Sequence, residues 1–175
     1  DFVGNPEYGA YADDALVDMS FAAPMENASA SLSKASLQID ERDNMLFSFS
    51  DGDSLSVFCS GSIKCRLDYA GVVDGQPCFS GKVSGDTYYA LFPGQSGASC
   101  SGNTISADIP SEVYGADYSA ISVAVATKSS KRFELKNACS MLWIDGNLKS
   151  YKKIVVESNR NIAGRVSIQV SDISA

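Results

Sequence analysis

The stretch that decides the fold runs from Ser119 to Val170, SAISVAVATKSSKRFELKNACSMLWIDGNLKSYKKIVVESNRNIAGRVSIQV. In its first segment, 121–126, β-branched residues alternate with small ones, which is the two-residue period of a β-strand. The last segment, 165–170, alternates more cleanly, with Val and Ile predicted to face inward and Arg, Ser and Gln outward. Between them lies the turn sequence Asp145-Gly146-Asn147. The stretch predicts consecutive antiparallel strands.

Two further strands are predicted inside the same stretch. Residues 138–144 place large apolar side chains on both faces, and Cys139 is most simply a small core residue of that strand. Ile154 and Val156 share one face of the next strand, with Val155 on the other. Both segments therefore continue the antiparallel pattern.

The preceding part of the chain carries the same two-residue period. Strands are predicted at 35–39, 45–49, 55–58, 87–92 and 104–109, the last an edge strand because Pro110 removes the next ladder donor. The turn-rich residues 59–85 have room for two short strands, and 95–103 is expected to be an exposed loop. No helical period appears. The sequence predicts an all-β, antiparallel β-sandwich of about seven to ten strands.

Charge divides the chain into two parts. The net charge is −7, and six acidic residues precede the first basic residue, Lys34, so that the remainder is nearly neutral. We expect an acidic N-terminal leader at 1–28, in which Phe21 and its neighbours can still supply one strand, and a β-sandwich domain at 29–175. The chain has no basic stripe, so nucleic acid is not an expected partner.

The residue types needed for common reaction centres are missing. The chain has no His, which excludes a Ser-His-Asp or Cys-His site, and no closely spaced Cys pairs of the zinc-binding kind. Asp51-Gly52-Asp53 lacks the further acids of a calcium loop and is interpreted as a turn. We predict a non-enzymatic protein with no catalytic residue, metal or cofactor. A hydrolase with two distant carboxylates stays open as an alternative.

Cysteine leaves the compartment open. The five residues are Cys59, Cys65, Cys78, Cys100 and Cys139, and the odd count leaves at least one unpaired. A bridge between Cys59 and Cys65 across a short loop is one alternative.

Several segments, taken in order, resemble the fimbrillin-like proteins of Bacteroidetes, the subunits of major and minor fimbriae. The resemblance covers roughly 35–172. The segments that carry it are 47–53 with 55–58, 79–81, 87–93, 122–126, 133–142, 151–156 and 162–164. Each motif is short, and their common order is what makes the resemblance specific.

The resemblance implies a transthyretin-like β-sandwich and the N-terminal domain of a surface lipoprotein. It implies export to the outer membrane and cell surface, with membrane contact only through a lipid anchor upstream of Asp1. The expected role is a fimbrial subunit or adhesin assembled by β-strand exchange. Its expected partners are other fimbrial subunits, bound through sheet edges, and a host or bacterial surface glycan or protein.

The resemblance also implies proteolytic removal of an N-terminal segment. Arg42 is the first Arg in the chain and Lys34 the first basic residue, so these two are the candidate cleavage positions. The alternative function is a carbohydrate-binding module of a surface lipoprotein, with Tyr114 and Tyr118 as the candidate ligand surface.

Overall fold

The computed structural model describes residues 16–25, 36–39, 45–112, 121–139 and 152–171. Within these ranges every regular element is a strand and every strand pair is antiparallel. The strands are β1 (Val17–Ala22), β2 (Ser36–Ile39), β3 (Met45–Ser48), β4 (Ser54–Cys59), β5 (Ile63–Val73), β6 (Gln76–Val83), β7 (Thr87–Phe92), β8 (Ser99–Ser101), β9 (Thr104–Ile109), β10 (Ser122–Thr127), β11 (Lys136–Asn137) and β12 (Gly164–Gln169).

These strands form three sheets. The largest has seven strands in the order β1-β6-β5-β4-β7-β10-β11, the second has three in the order β12-β9-β8, and β2 pairs with β3. The all-β, antiparallel β-sandwich that the sequence predicts is thereby confirmed.

Short hairpins set the register of the large sheet. Asp74 and Gly75 join β5 to β6 with φ values of 50° and 74°, so that Val73 pairs with Gln76. A two-residue turn with φ positive at both positions matches the twist of its strands, and Asp-Gly is a sequence that accepts it. The hairpin residues therefore fix the register next to the turn, and a shift between Tyr69 and Gly71 changes it for the rest of β5.

The seven-stranded sheet curls until its two ends meet. The segment that continues β1 makes parallel bridges with the segment that precedes β11, joining Ala22 to Arg132 and Met25 to Leu135. Since β1 and β11 are the first and last strands in the sheet order, these bridges close the sheet into a ring.

The ring is packed on both of its surfaces. Its interior holds a core cluster that includes Phe21, Leu55, Leu67, Phe79 and Tyr88, all with no exposed surface. A second cluster lies between the outer face of the ring and the three-stranded sheet; its members include Phe58, Leu91, Ile105, Ile121 and Val170. Successive residues of β7 and β10 therefore point alternately into the interior cluster and the outer cluster. Both faces of these strands are apolar because both are buried.

Four predictions about elements are wrong in whole or in part. Residues 154–156 are described outside any strand, and residues 95–103 contain the short strand β8, although most of this segment is exposed as expected. The segment 104–109 is the central strand of its sheet, since β8 and β12 pair with it on either side. The turn-rich region holds β5 and β6, of 11 and 8 residues, rather than two short strands.

Candidate assembly site and groove

The closing strand β1 fills a slot in the ring. Phe21 and Ala23 have no exposed surface and Met25 has 6%, so that every second residue from 21 to 25 faces the interior, as in a β-strand. Met19 continues the row and packs against the same cluster. We call this row of side chains, at positions 19, 21, 23 and 25, the plug face.

Phe21 is the centre of the plug face. Its ring lies 5.1 Å from that of Tyr88 in an edge-to-face arrangement and 4.9 Å from that of Phe133 in a stacked one. Aromatic pairs at these separations are stabilising beyond the area they bury, by about 0.5–1.5 kcal/mol each. Phe21 therefore joins β7 to the segment before β11 through the interior of the ring.

Backbone hydrogen bonds hold β1 and its continuation on both sides. On one side β1 pairs with β6 from Val17 opposite Val83 to Ala22 opposite Cys78. On the other side the Ala22 N–H donates to the Lys131 carbonyl at 3.0 Å, and the Ala22 carbonyl accepts from the Phe133 N–H at 2.8 Å. Without β1, both flanking backbones and the plug-face slot would be open to another strand.

An exposed β-branched run follows later in the chain. Ile154, Val155 and Val156 are 47%, 64% and 50% exposed, and no strand in the described ranges pairs with them. Lys152 and Lys153 precede the run and Glu157 follows it. Three consecutive β-branched residues suit an added strand better than an exposed segment. We call 152–157 the exposed run.

A groove of about 570 Å³ lies at one end of the contact between the two sheets. Its lining residues come from β7, β10, the segment that follows β10, the β8–β9 turn and the residue that follows β12: Thr87, Tyr89, Asn103, Val125, Ala126, Thr127, Ser130, Arg132, Glu134 and Val170. The Arg132 guanidinium donates to Glu134 at 3.2 Å and to the Gln76 side-chain oxygen at 2.5 Å. The groove combines hydroxyl groups, one ion pair and one partly exposed tyrosine ring, which is chemistry suited to a polar ligand.

The environment raises the pKa of two tyrosines, Tyr69 and Tyr88. Burial raises the pKa of Tyr88, and the charges of Cys59 and Asp86 add to this. Its hydroxyl donates to the Gly85 carbonyl at 2.5 Å. Burial likewise raises the pKa of Tyr69, with a further increase from Asp51 and Asp53. Both therefore stay protonated hydrogen-bond donors at neutral pH.

All four residues singled out by the sequence lie outside the described residues. These are Lys34, Arg42, Tyr114 and Tyr118. The predicted strand at 138–144 and the turn at 145–147 also lie outside them, except for Ala138 and Cys139. Sequence reasoning missed the plug face and the groove. The alternation of Phe21, Ala23 and Met25 was a usable signal for the first, but the groove joins segments too distant in the chain to be recognised.

The described residues contain no cluster of three or more Cys, Asp or Glu side chains that could hold a metal ion. Nor do they contain a helix with the length and hydropathy to span a membrane. Comparisons with protein families, with curated proteins and with solved structures found no match to the chain.

Proposed function

We propose that this chain is a non-enzymatic fimbrial subunit or adhesin domain of the cell surface that assembles by β-strand exchange. The observation that carries the proposal is the position of β1. It is an N-terminal strand that completes the core of the ring through Phe21, Ala23 and Met25 and that is held through its edges.

Chain order connects this strand to the processing positions. A cut after Lys34 falls beyond Met25, and a cut after Arg42 falls beyond β2. Either cut would break the covalent connection between the plug face and the rest of the ring. A strand of another subunit can then replace β1, because the slot offers free backbone edges and apolar side-chain sites together.

The exposed run supplies a candidate donor. Its side chains at 154 and 156 would enter the slot on one face while 155 faces out, the alternation that the plug face itself uses. The subunit partner is then a second copy of this chain, and export to the outer membrane through an upstream lipid anchor completes the proposal.

Limited trypsin digestion followed by heated and unheated gel electrophoresis tests the proposal. We expect a cut at Lys34 or Arg42, located by N-terminal sequencing, to produce oligomers that survive the unheated gel and dissociate on heating. The double variant Lys34→Gln and Arg42→Gln is the control and should stay monomeric. A cut protein that remains a stable monomer with β1 released contradicts the proposal.

A peptide competition makes the test specific to the slot. A synthetic peptide of residues 15–27 should block oligomer formation after the cut, because it restores β1. The same peptide with Phe21→Ser should not block it, since the interior site of Phe21 is then left unfilled. Equal inhibition by both peptides would contradict the role of the plug face.

The groove supports a second candidate, the carbohydrate-binding module. Its hydroxyl groups and the Arg132–Glu134 pair are suited to sugar hydroxyls, and Tyr89 offers an aromatic surface. Glycan-array binding that is lost in Arg132→Ala and retained in Arg66→Ala would favour this function. Arg66 is a matched control, because it makes a comparable exposed ion pair with Asp68 outside the groove.

A further inference from the structure

We propose that Cys59 and Cys65 are a covalent modification site, a thiol pair that an external disulfide oxidises to a disulfide bond between β4 and β5. The inference is independent of strand exchange. It rests on the position of the two sulfur atoms inside the ring.

The two thiols are in contact. Their sulfur atoms are 3.4 Å apart, and both residues belong to the interior core cluster. In the hairpin register, Val57 is opposite Cys65 and Cys59 is opposite Ile63, so the cysteines are diagonal neighbours on one face. A diagonal pair is farther apart than a directly opposite pair, but the sulfur separation shows that these two thiols meet across it. A disulfide needs its sulfur atoms at about 2.0 Å, so bonding requires the two side chains and their strands to move closer together.

The other three cysteines are placed differently. The Cys78 thiol donates to the Gln76 carbonyl at 3.7 Å on β6. The Cys100 thiol donates to the Gly102 carbonyl at 3.4 Å in the three-stranded sheet. Cys139 packs against the outer core cluster, away from the interior one. Oxidation is therefore expected to select Cys59 and Cys65.

The surroundings also distinguish the two thiols chemically. The hydrogen bond from the Cys65 thiol, helped by hydrogen bonds from Ser84, outweighs the effect of burial and lowers the pKa of Cys59 to about 7. The pKa of Cys65 is raised by the same hydrogen bond and by burial. Cys59 is consequently the more acidic thiol of the folded pair.

The reaction consists of two exchange steps with oxidised glutathione. The thiolate of either cysteine attacks one glutathione sulfur, forming a mixed disulfide and releasing one glutathione thiolate. The other cysteine then loses its proton to solvent and attacks the protein sulfur of the mixed disulfide, releasing the second glutathione as its thiolate. Two protein thiols are oxidised and one disulfide is reduced to two thiols. Since Cys59 has no exposed surface and Cys65 only 6%, exchange must occur before the hairpin is buried, during folding.

Peptide mapping after refolding tests the proposal directly. The reduced, unfolded protein is refolded in a buffer with oxidised and reduced glutathione, alkylated, unfolded again and digested with trypsin. Lys64 lies between the two cysteines and Arg66 follows the second, so the dipeptide Cys65-Arg66 is released unless a disulfide retains it. We expect it to be joined to peptide 43–64.

The outcomes separate clearly. Alkylated Cys59 and Cys65, or a dipeptide joined to a peptide that carries Cys78, Cys100 or Cys139, would overturn the proposal. The Cys65→Ala variant should lose the cross-link, and the control variant Cys100→Ala should keep it. If Cys100→Ala does not fold, Cys139→Ala serves as the control.

Thermal unfolding tests whether the native arrangement accommodates the bond. The oxidised protein should have a Tm about 5 °C above that of the reduced protein, because the short closed loop restricts the unfolded chain. A lower Tm for the oxidised protein would show that the bond distorts the hairpin and would overturn the proposal.

Discussion

The rings of Phe21 and Phe133 stack at a centroid distance of 4.9 Å and an interplanar angle of 30°. Phe21 belongs to the first strand in the order of the large sheet, and Phe133 lies just before the last. Their contact is thus the side-chain counterpart of the backbone bridges that close the ring. An N-terminal strand that packs in this way is both part of the core and the piece whose removal opens it.

Phe21→Ala should destabilise the protein by about 3–5 kcal/mol, because it leaves a cavity at the centre of the plug face. Urea unfolding measures the change. Asp18→Ala is the matched control on the same strand, where the side chain is exposed, and should change the free energy of unfolding by less than about 0.5 kcal/mol. A loss of under about 1 kcal/mol in Phe21→Ala would mean that β1 is dispensable for the core.

Gly61→Ala should cost more than about 2 kcal/mol, since a Cβ at this position would overlap the Gly102 carbonyl in addition to the strain of a left-handed backbone. Gly75→Ala separates the two effects. Its φ of 74° is close to the 77° of Gly61, but a Cβ there would meet nothing within 4 Å, so we expect a cost of only about 1 kcal/mol. If thermal or urea unfolding shows equal losses of stability in the two variants, the close approach of Gly61 to the Gly102 carbonyl is excluded.

The pH dependence of the free energy of unfolding should reflect the ionisation of the Cys59 thiol. Its pKa falls from 9.0 to about 7 on folding, chiefly through the hydrogen bond from Cys65. A lowered folded-state pKa stabilises the protein fully above pH 9.0, and this contribution is lost as pH falls through about 7. The raised pKa of Cys65 lowers the stability of the folded protein, but only above its unfolded value of 9.0. Of these two thiols, Cys59 therefore accounts for the change in stability between pH 7 and pH 9.

The measurement is the free energy of unfolding of the reduced protein between pH 7 and 9. We expect a gain of about 2 kcal/mol relative to Cys59→Ala, which lacks the ionising group. Thiolate absorbance should also titrate with a midpoint near pH 7, and this midpoint should rise in Cys65→Ala. A flat difference in stability, or an unchanged midpoint, would contradict the hydrogen bond between the thiols.

Val156→Lys should weaken oligomer formation by the trypsin-cut protein at least about tenfold, because the side chain at 156 would enter the apolar slot and a charge disfavours that burial. Sedimentation or gel electrophoresis of the cut protein measures this. Val73→Lys is the control, since Val73 is 56% exposed at the β5–β6 turn, away from the exposed run in the chain. Equal oligomer formation by the two variants would exclude the exposed run as the donor.

Local alternation was sufficient to predict the class of fold and several strands, including β7 at Thr87–Phe92. The residues of β10 also follow the predicted alternation, although both faces are buried: Val123 and Val125 serve the outer cluster, Ala124 and Ala126 the interior one. Sequence patterns of this kind reflect the side chains of a single strand and do not predict which strands pair with one another.

Tertiary contacts decided the elements that were mispredicted. Pro110 indicated an edge strand at 104–109, but it follows the last paired residue, Ile109, and β12 pairs along the whole of β9. Gly- and Ser-rich residues 95–103 suggested an exposed loop, and most of them are exposed, but β8 forms within them by pairing with β9. The plug face was also missed because it depends on tertiary contacts. The alternation at 21–25 can be recognised as a buried face only when the closed sheet around it is known.

Ring closure also orders events in time. The segment around Ala22 emerges first during synthesis, but its bridge partners at 132–135 follow more than half the chain later. Contacts so far apart in sequence form slowly, because a long loop must close before they stabilise anything. The segment around Ala22 can therefore pair with β6 early but closes the ring late, and the nascent chain has an interval in which the other edge of this segment lacks its partner.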